Sequence, residues 1–206
     1  VDVHRKYYSS ENVVNMRKRL LGGRIQASAY PDFRDAVTLY RVDSLDISDK
    51  IKLPQGGMYR YWRYLSPDGS YGSIAELSFF SPDSAMLRGI PICQDGTNTD
   101  NARKAFDGNW LTNYETERSD GNWVGADMGQ SQAVGFVRIV PRSDDNDIHP
   151  GDEYELKYWD GYFWITHDIR TATDNVLHYD GVPDGALMWL HDLTRGWDER
   201  PFRIKN

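Results

Sequence analysis

Alternation governs this sequence. Runs of five to eight residues in which apolar and polar side chains take turns, separated by clusters of Gly, Pro, Asp and Asn, recur along the whole 206-residue chain. A period of two is the mark of a half-buried β-strand. In the first part GGRIQASAY and AVTLYRV flank the turn PDFRD, MYRYWRYLS follows a polar loop, and GSIAELSFF follows PDGSYG. Further on come NWVGADMG, AVGFVRIVPR, DEYELKYWD, YFWITHD, VLHYDGV and ALMWLHDLT. Helical periodicity is scarce, and residues 12 to 20, NVVNMRKRL, fit a short helix or a strand equally. Short strands at a spacing of roughly 8 to 12 residues suit a sandwich or barrel. The sequence therefore predicts an all-β fold of tandem jelly-roll-like β-sandwich units, the first of them partial. Within DEYELKYWD, Tyr154, Leu156 and Tyr158 fall on one face and Glu155, Lys157 and Trp159 on the other, so one face can be core and the other wet.

Charge narrows the partners. The chain has 24 Lys and Arg against 31 Asp and Glu, a net charge of −7, whereas nucleic-acid binding needs a basic face. No apolar run approaches the roughly 18 residues of a membrane-crossing helix, so no membrane span is expected. Cys93 is the single cysteine; it permits no internal disulfide and supplies no thiol cluster, and it reads as a small buried hydrophobe. The sequence starts at Val1 without a leader, which fits part of a longer protein with any export signal upstream. Aromatic residues are abundant, with 7 Trp and 13 Tyr. Such side chains both fill sandwich cores and stack on ligands.

Between SPDSAMLRG and QDGTNTDNARKAFDGN the chain turns polar, as a connector does. A boundary near residues 82 to 90 is expected, giving units 1–85 and 86–206. The second half is similar to the discoidin-like, coagulation factor 5/8 type C domains, in the form found in surface glycan-handling proteins of Bacteroides-type gut bacteria. The resemblance lies in KAFDGNWLTNYE, WVGADMG, VGFVRIVPRSDDNDIHPGDEYELKYWDGYFW and LHYDGVPDGALMWLHDLTRGWDERPF, which run in this order through residues 90 to 203. The first half, with RLLGGRIQASAYPDFRDAVTLYRV and YRYWRYLSPDGSYGSIAELSFF, resembles the closing strands of the same sandwich but has no counterpart of AFDGNWLTNYE.

The segment around AFDGNWLT can curl so that carboxylate, amide and backbone oxygens converge, the donor type that calcium takes. An ordinary turn, with Asp107 bonding its own downstream amides, accounts for the same residues. The family resemblance implies a structural calcium held by the Lys104 carbonyl, Asp107, the Asn109 carbonyl, Thr112 and Glu199. Sugar recognition needs flat apolar faces and planar hydrogen-bonding groups, and loops at one end of a sandwich can gather them. Arg142, Asp145, Asn146 and His149 of PRSDDNDIHPGD are the candidates, with Trp110, Tyr114 and Tyr162 beside them; a solvated acidic turn is the competing reading of that loop. Trp110 lies in a polar loop, whereas Trp123, Trp159, Trp164 and Trp189 sit in strand-like runs and are expected to pack in the core or between sheets.

Catalytic signals are weak. His4, His149, His167, His178 and His191 show no zinc-site spacing. The adjacent acids Asp144 with Asp145, and Asp152 with Glu153, make poor glycosidase pairs because strand neighbours point to opposite faces. No nucleophile elbow or phosphate-cradling loop occurs. These observations, with the resemblance, lead to a non-catalytic carbohydrate-binding module of a larger secreted, periplasmic or surface bacterial protein, partnered by glycan and by an upstream domain. The alternative is a structural spacer or protein-interaction domain with no sugar ligand.

Overall fold

The computed structural model describes residues 1–3, 11–44, 50–54, 57–94, 99–142, 146–198 and 200–203. In chain order the first strands are β1 (Asp2–Val3), β2 (Arg24–Ser28), β3 (Val37–Arg41), β4 (Ile51–Lys52), β5 (Tyr59–Leu65), β6 (Ile74–Phe80), β7 (Met86–Leu87) and β8 (Ile90–Cys93). They continue as β9 (Trp123–Gln132), β10 (Phe136–Pro141), β11 (Glu153–Trp159), β12 (Trp164–Thr171), β13 (Leu177–His178), β14 (Leu187–Asp192), β15 (Trp197–Asp198) and β16 (Phe202–Arg203). Two short helices, α1 (Glu11–Lys18) and α2 (Thr99–Arg103), are the helical elements among the described residues. The protein is thus all-β, and every strand pairing among the described residues is antiparallel. The ambiguous segment from residue 12 onward is helical as far as Lys18, where Arg17 and Lys18 in the last turn complement the negative end of the helix dipole.

The chain divides into two compact units, one of Val13–Ser143 and one of Val1–Asn12 together with Asp144–Asn206. The first is a β-sandwich. One sheet has the order β3-β2-β5-β9-β8 and the other β4-β10-β6-β7. Alternation sends Ile25, Ala27, Trp62, Tyr64, Val124 and Ala126 of the first sheet into a shared core with Leu77, Phe79, Val137 and Ile139 of the second. Fully burying one such large apolar side chain is worth about 1.5–3 kcal/mol, so this core is the main source of the unit's stability.

The chain does not divide at the expected 85/86 boundary. Leu65 pairs with Trp123 and Tyr61 with Asp127 across β5 and β9, while Phe79 pairs with Val137 across β6 and β10. Residues on both sides of position 85 are therefore neighbours in the same two sheets. The polar stretch that reads as a connector holds β7 and β8, which pair with β6 and β9. Residues 105–115 of the second half are hydrogen-bonded to β6 of the first through Ala105 and Tyr114, so the two sequence halves complete one sandwich.

The other unit is built on a sheet of order β12-β11-β14-β15, with β16 also paired to β14. Its inner face presents Tyr154, Leu156, Met188 and Leu190, all fully buried, against Val3 of β1, Leu177 of β13 and Tyr179. β1 and β13 form a two-stranded ribbon, with Asp2 opposite His178 and Val3 opposite Leu177. The alternation expected for DEYELKYWD is observed: Tyr154 and Leu156 are buried, and Trp159 is exposed.

Gly125 tests the joining of the two sequence halves. It sits opposite Arg63 in the β5–β9 pair, and a Cβ there would meet the Trp62 carbonyl oxygen at 2.1 Å and Arg63 Cα at 2.8 Å. Gly125→Ala should force these strands apart and destabilise the sandwich by about 1–3 kcal/mol, the usual range for overpacking. Chemical denaturation should show the loss in one transition sensed on both sides of position 85, by Trp62 and by Trp123. A transition shifted only for residues beyond 85 would contradict the single sandwich.

Candidate functional site

Residues 105–114 make an excursion from the sandwich that is tied down at both ends on β6. The Leu77 amide donates to the Ala105 carbonyl at 2.7 Å, and Ile74 and Tyr114 exchange two backbone hydrogen bonds of 2.8 and 3.3 Å. Inside the loop Asp107 Oδ1 accepts from the Asn109 amide at 2.8 Å and Asn109 Oδ1 from the Leu111 amide at 3.1 Å. Each is a side chain capping the backbone two residues on, the local habit of Asp and Asn. Gly108 takes φ of 76°, the left-handed conformation that glycine adopts without strain.

Within that turn the oxygens converge on Thr112. Its Oγ1 lies 2.7 Å from Asp107 Oδ2, 3.0 Å from the Asn109 carbonyl oxygen and 3.4 Å from the Lys104 carbonyl oxygen. A hydroxyl carries one proton and can satisfy only one of these three acceptors at a time. The loop therefore brings together four of the five groups expected as cation ligands, and as a donor set they fit a hard divalent ion. Glu199, the fifth, lies outside the described residues. Among the described residues no three His, Cys, Asp or Glu side chains cluster as a metal centre, so a cation here would depend chiefly on carbonyl and hydroxyl oxygen.

A carboxylate that sequence reasoning missed faces the same loop. Glu76 is 6% exposed in the middle of β6, and its Oε2 accepts from the Gly108 amide at 3.0 Å. Burial pushes its carboxyl up to about 7; the Gly108 hydrogen bond opposes the shift, the neighbouring charge of Asp107 adds to it, and Arg138 and Ser78 oppose it. The available signal was a lone acid in the largely apolar run IAELSFF.

Beside the loop opens a cleft of about 560 Å³ whose lining includes Asn101, Lys104, Leu111, Thr112, Glu115 and Arg142. Its polar groups are held in place. Arg142 donates to Glu115 Oε2 at 2.5 Å, Ser73 Oγ donates to Glu115 Oε1 at 3.3 Å, and Asn101 Nδ2 donates to the Glu115 carbonyl at 2.8 Å. Charge-assisted bonds of this length fix geometry as well as lowering energy.

The residues expected to bind sugar are distributed between the units. Arg142 lines the cleft. Trp110 is half-buried, its ring 5.7 Å from the Arg138 guanidinium. Tyr114 is 1% exposed and donates its hydroxyl to the Trp123 carbonyl at 3.0 Å; it is a core residue and offers no stacking face. Asn146 and His149 belong to the other unit and are buried there, which removes them from a solvent-facing site. Tyr162, in that unit too, is 81% exposed at the tip of the β11–β12 hairpin. Asp145 lies outside the described residues. The tryptophans expected in the core or between sheets also separate. Trp123 packs against Phe33 at 5.2 Å, whereas Trp159, Trp164 and Trp189 stand on the outer face of a sheet, because alternation opposite the buried Tyr154 and Leu156 leaves them no other side.

Comparison of the chain with protein-family models, with curated proteins and with solved structures finds no match.

Glu76 gives the loop a measurable pH dependence. Its folded carboxyl titrates near 7, above the unfolded value of about 4.3. The fold favours the protonated form, so this contribution to stability is complete below the unfolded range and is lost as pH rises through about 7. With chelator present, the melting temperature should decline between about pH 5 and pH 8, and Glu76→Gln should flatten the decline. An equal slope in both proteins would remove Glu76 as its source.

Proposed function

We propose that the chain is a discoidin-like, non-catalytic carbohydrate-binding module of a larger secreted or surface bacterial protein. In this reading the cleft beside Glu115 and Arg142 takes a sugar, and the loop of residues 104–112 with Glu76 holds a structural calcium. The cleft itself carries the reading. It is open, lined mainly by hydrogen-bonding side chains, and its Arg142–Glu115 pair is already oriented by Ser73 and Asn101. Such fixed, planar polar groups suit hydroxyl recognition, because little ordering remains to be done on binding. Calcium would neutralise the Asp107 and Glu76 carboxylates and fix the wall that carries Thr112.

The non-catalytic reading draws support from Asp152 and Glu153, the described pair among the sequence-adjacent acids considered as glycosidase candidates. Asp152 is buried and bonded to Arg195, while its neighbour Glu153 is exposed. They do not face one space across which a glycosidic bond could lie.

Calcium that binds only the folded chain raises stability by mass action. Millimolar calcium should therefore raise the melting temperature, chelator should lower it, and Asp107→Ala should abolish the difference. Metal analysis of the purified protein covers the case of an ion too tightly held to exchange. For the sugar, titration with galactose-, glucose- and hexosamine-type ligands should shift amide resonances of residues 111–116. Arg142→Ala should weaken that binding about tenfold or more, equivalent to about 1.4 kcal/mol, while the chain remains folded. No response across a broad glycan array would favour the spacer reading.

A further inference from the structure

The outer face of the β12-β11-β14 sheet carries side chains that packing does not explain. Pairing across the strands places Trp164 opposite Trp159, then Thr166, Lys157 and Trp189 in one row, then Ile169, Glu155 and His191 in the next. The indoles form a diagonal, with ring centroids 5.4 Å apart for Trp159 and Trp164 and 5.0 Å for Trp164 and Trp189; His191 follows 4.3 Å from Trp189. Cross-strand aromatic pairs do stabilise a hairpin, and that accounts for the partial burial of Trp164 and Trp189. It does not account for Trp159 at 38% exposure, or for Tyr162 and Phe163 at 81% and 69% on the adjoining turn. That turn is fixed: Asp160 Oδ1 accepts from the amides of Tyr162 and Phe163, both at 2.7 Å, and the Asp160 amide donates to the Phe163 carbonyl at 3.1 Å. Two large aromatic side chains are thereby held out in water by a rigid backbone.

We propose that this face is a second glycan-binding surface, which takes the interior of a neutral oligosaccharide chain. The ligand class is that of the proposed function; the site is separate from the cleft, and neither depends on the other. Charge selects the ligand. Beside the indoles, Glu155 is bonded by Thr166 at 2.5 Å and by Lys157 at 3.2 Å, and His191 Nδ1 lies 2.5 Å from Asp198. Lys157 balances Glu155, and His191 shares a hydrogen bond with Asp198, so the face is rich in hydrogen-bonding atoms and carries no basic excess. The charge in the turn itself is Asp160, which repels a phosphate backbone or an anionic bilayer. A neutral polyol with apolar C–H faces matches both halves, rings on indoles and hydroxyls on the paired polar groups. Three strands about 4.8 Å apart make the platform about 10 Å wide, broader than one pyranose ring, so affinity should rise with chain length.

The test uses the whole chain and a series of cello-, xylo-, manno- and galacto-oligosaccharides from mono- to hexasaccharide, followed by tryptophan fluorescence and indole N–H resonances. We expect binding that strengthens with length in at least one series and moves the Trp159 indole signal. Trp159→Ala and Tyr162→Ala, at exposed positions, should leave the chain folded and weaken that binding at least tenfold, with Trp159→Phe restoring part of it. Arg142→Ala should leave it unchanged, which separates this surface from the cleft. The proposal is overturned if both alanine variants bind as the parent does, or if no series binds. It is equally overturned if the face proves to join two copies of the chain, seen as a concentration-dependent dimer that Trp159→Ala dissolves while glycan binding is unaffected.

Discussion

Strand β6 is hydrogen-bonded to β10 and β7, and its backbone groups at Leu77 and Ile74 are taken by Ala105 and Tyr114. Its odd-numbered residues Leu77 and Phe79 fill the sandwich core, while Glu76 and Ser78 on the opposite side are equally withdrawn from water. A strand buried on both faces leaves its side chains no freedom to choose partners. Glu76 must therefore be satisfied by whatever lies over it, and what lies over it is the turn at Gly108. The oxygen-rich loop and the cleft beside it are consequences of that one burial: the loop is where it is because β6 needs its edge and its acid covered.

Much of the fold was legible because a period of two is written locally. The alternation in DEYELKYWD assigns every side chain of β11 to its observed face, and the strand-like runs on either side of position 85 are strands. The partners of those strands were not legible. A run such as GSIAELSFF carries no mark of whether it will meet residues before it or after it, and the polar segment after residue 82 has the composition of a linker although β7 and β8 lie within it. The sheet pairings that erase the expected boundary are long-range, and long-range pairing is what a single sequence reports least.

The site shows the same division. Asp107, Asn109 and Thr112 were readable because short-range turn chemistry brings them together. Glu76 was not, because its relation to Gly108 is made by the sheet. Tyr114 sits in a segment that reads as a loop, yet its ring closes the core next to Gly72, where an added Cβ would lie 2.9 Å from it. Trp159, Trp164 and Trp189 are expected in the core or between sheets because they are tryptophans in strand-like runs. Alternation had already set Trp159 on the side of Glu155 and Lys157, and it was residue type, which speaks for burial in general, that pointed the other way.

The ribbon of β1 with β13 has one more consequence, which concerns time. Val1 and Tyr179 exchange backbone hydrogen bonds of 2.6 and 2.8 Å, and Asp2 meets His178 at 2.7 Å, so residues 1 and 2 find their partners only once residues 178 and 179 have been made. Everything the sandwich needs is translated by Ser143. At about 5–20 residues per second, the ribosome must run for seconds more before β13 emerges. The inserted unit can be born folded, while the unit that encloses it in sequence must wait with its leading strand unpaired.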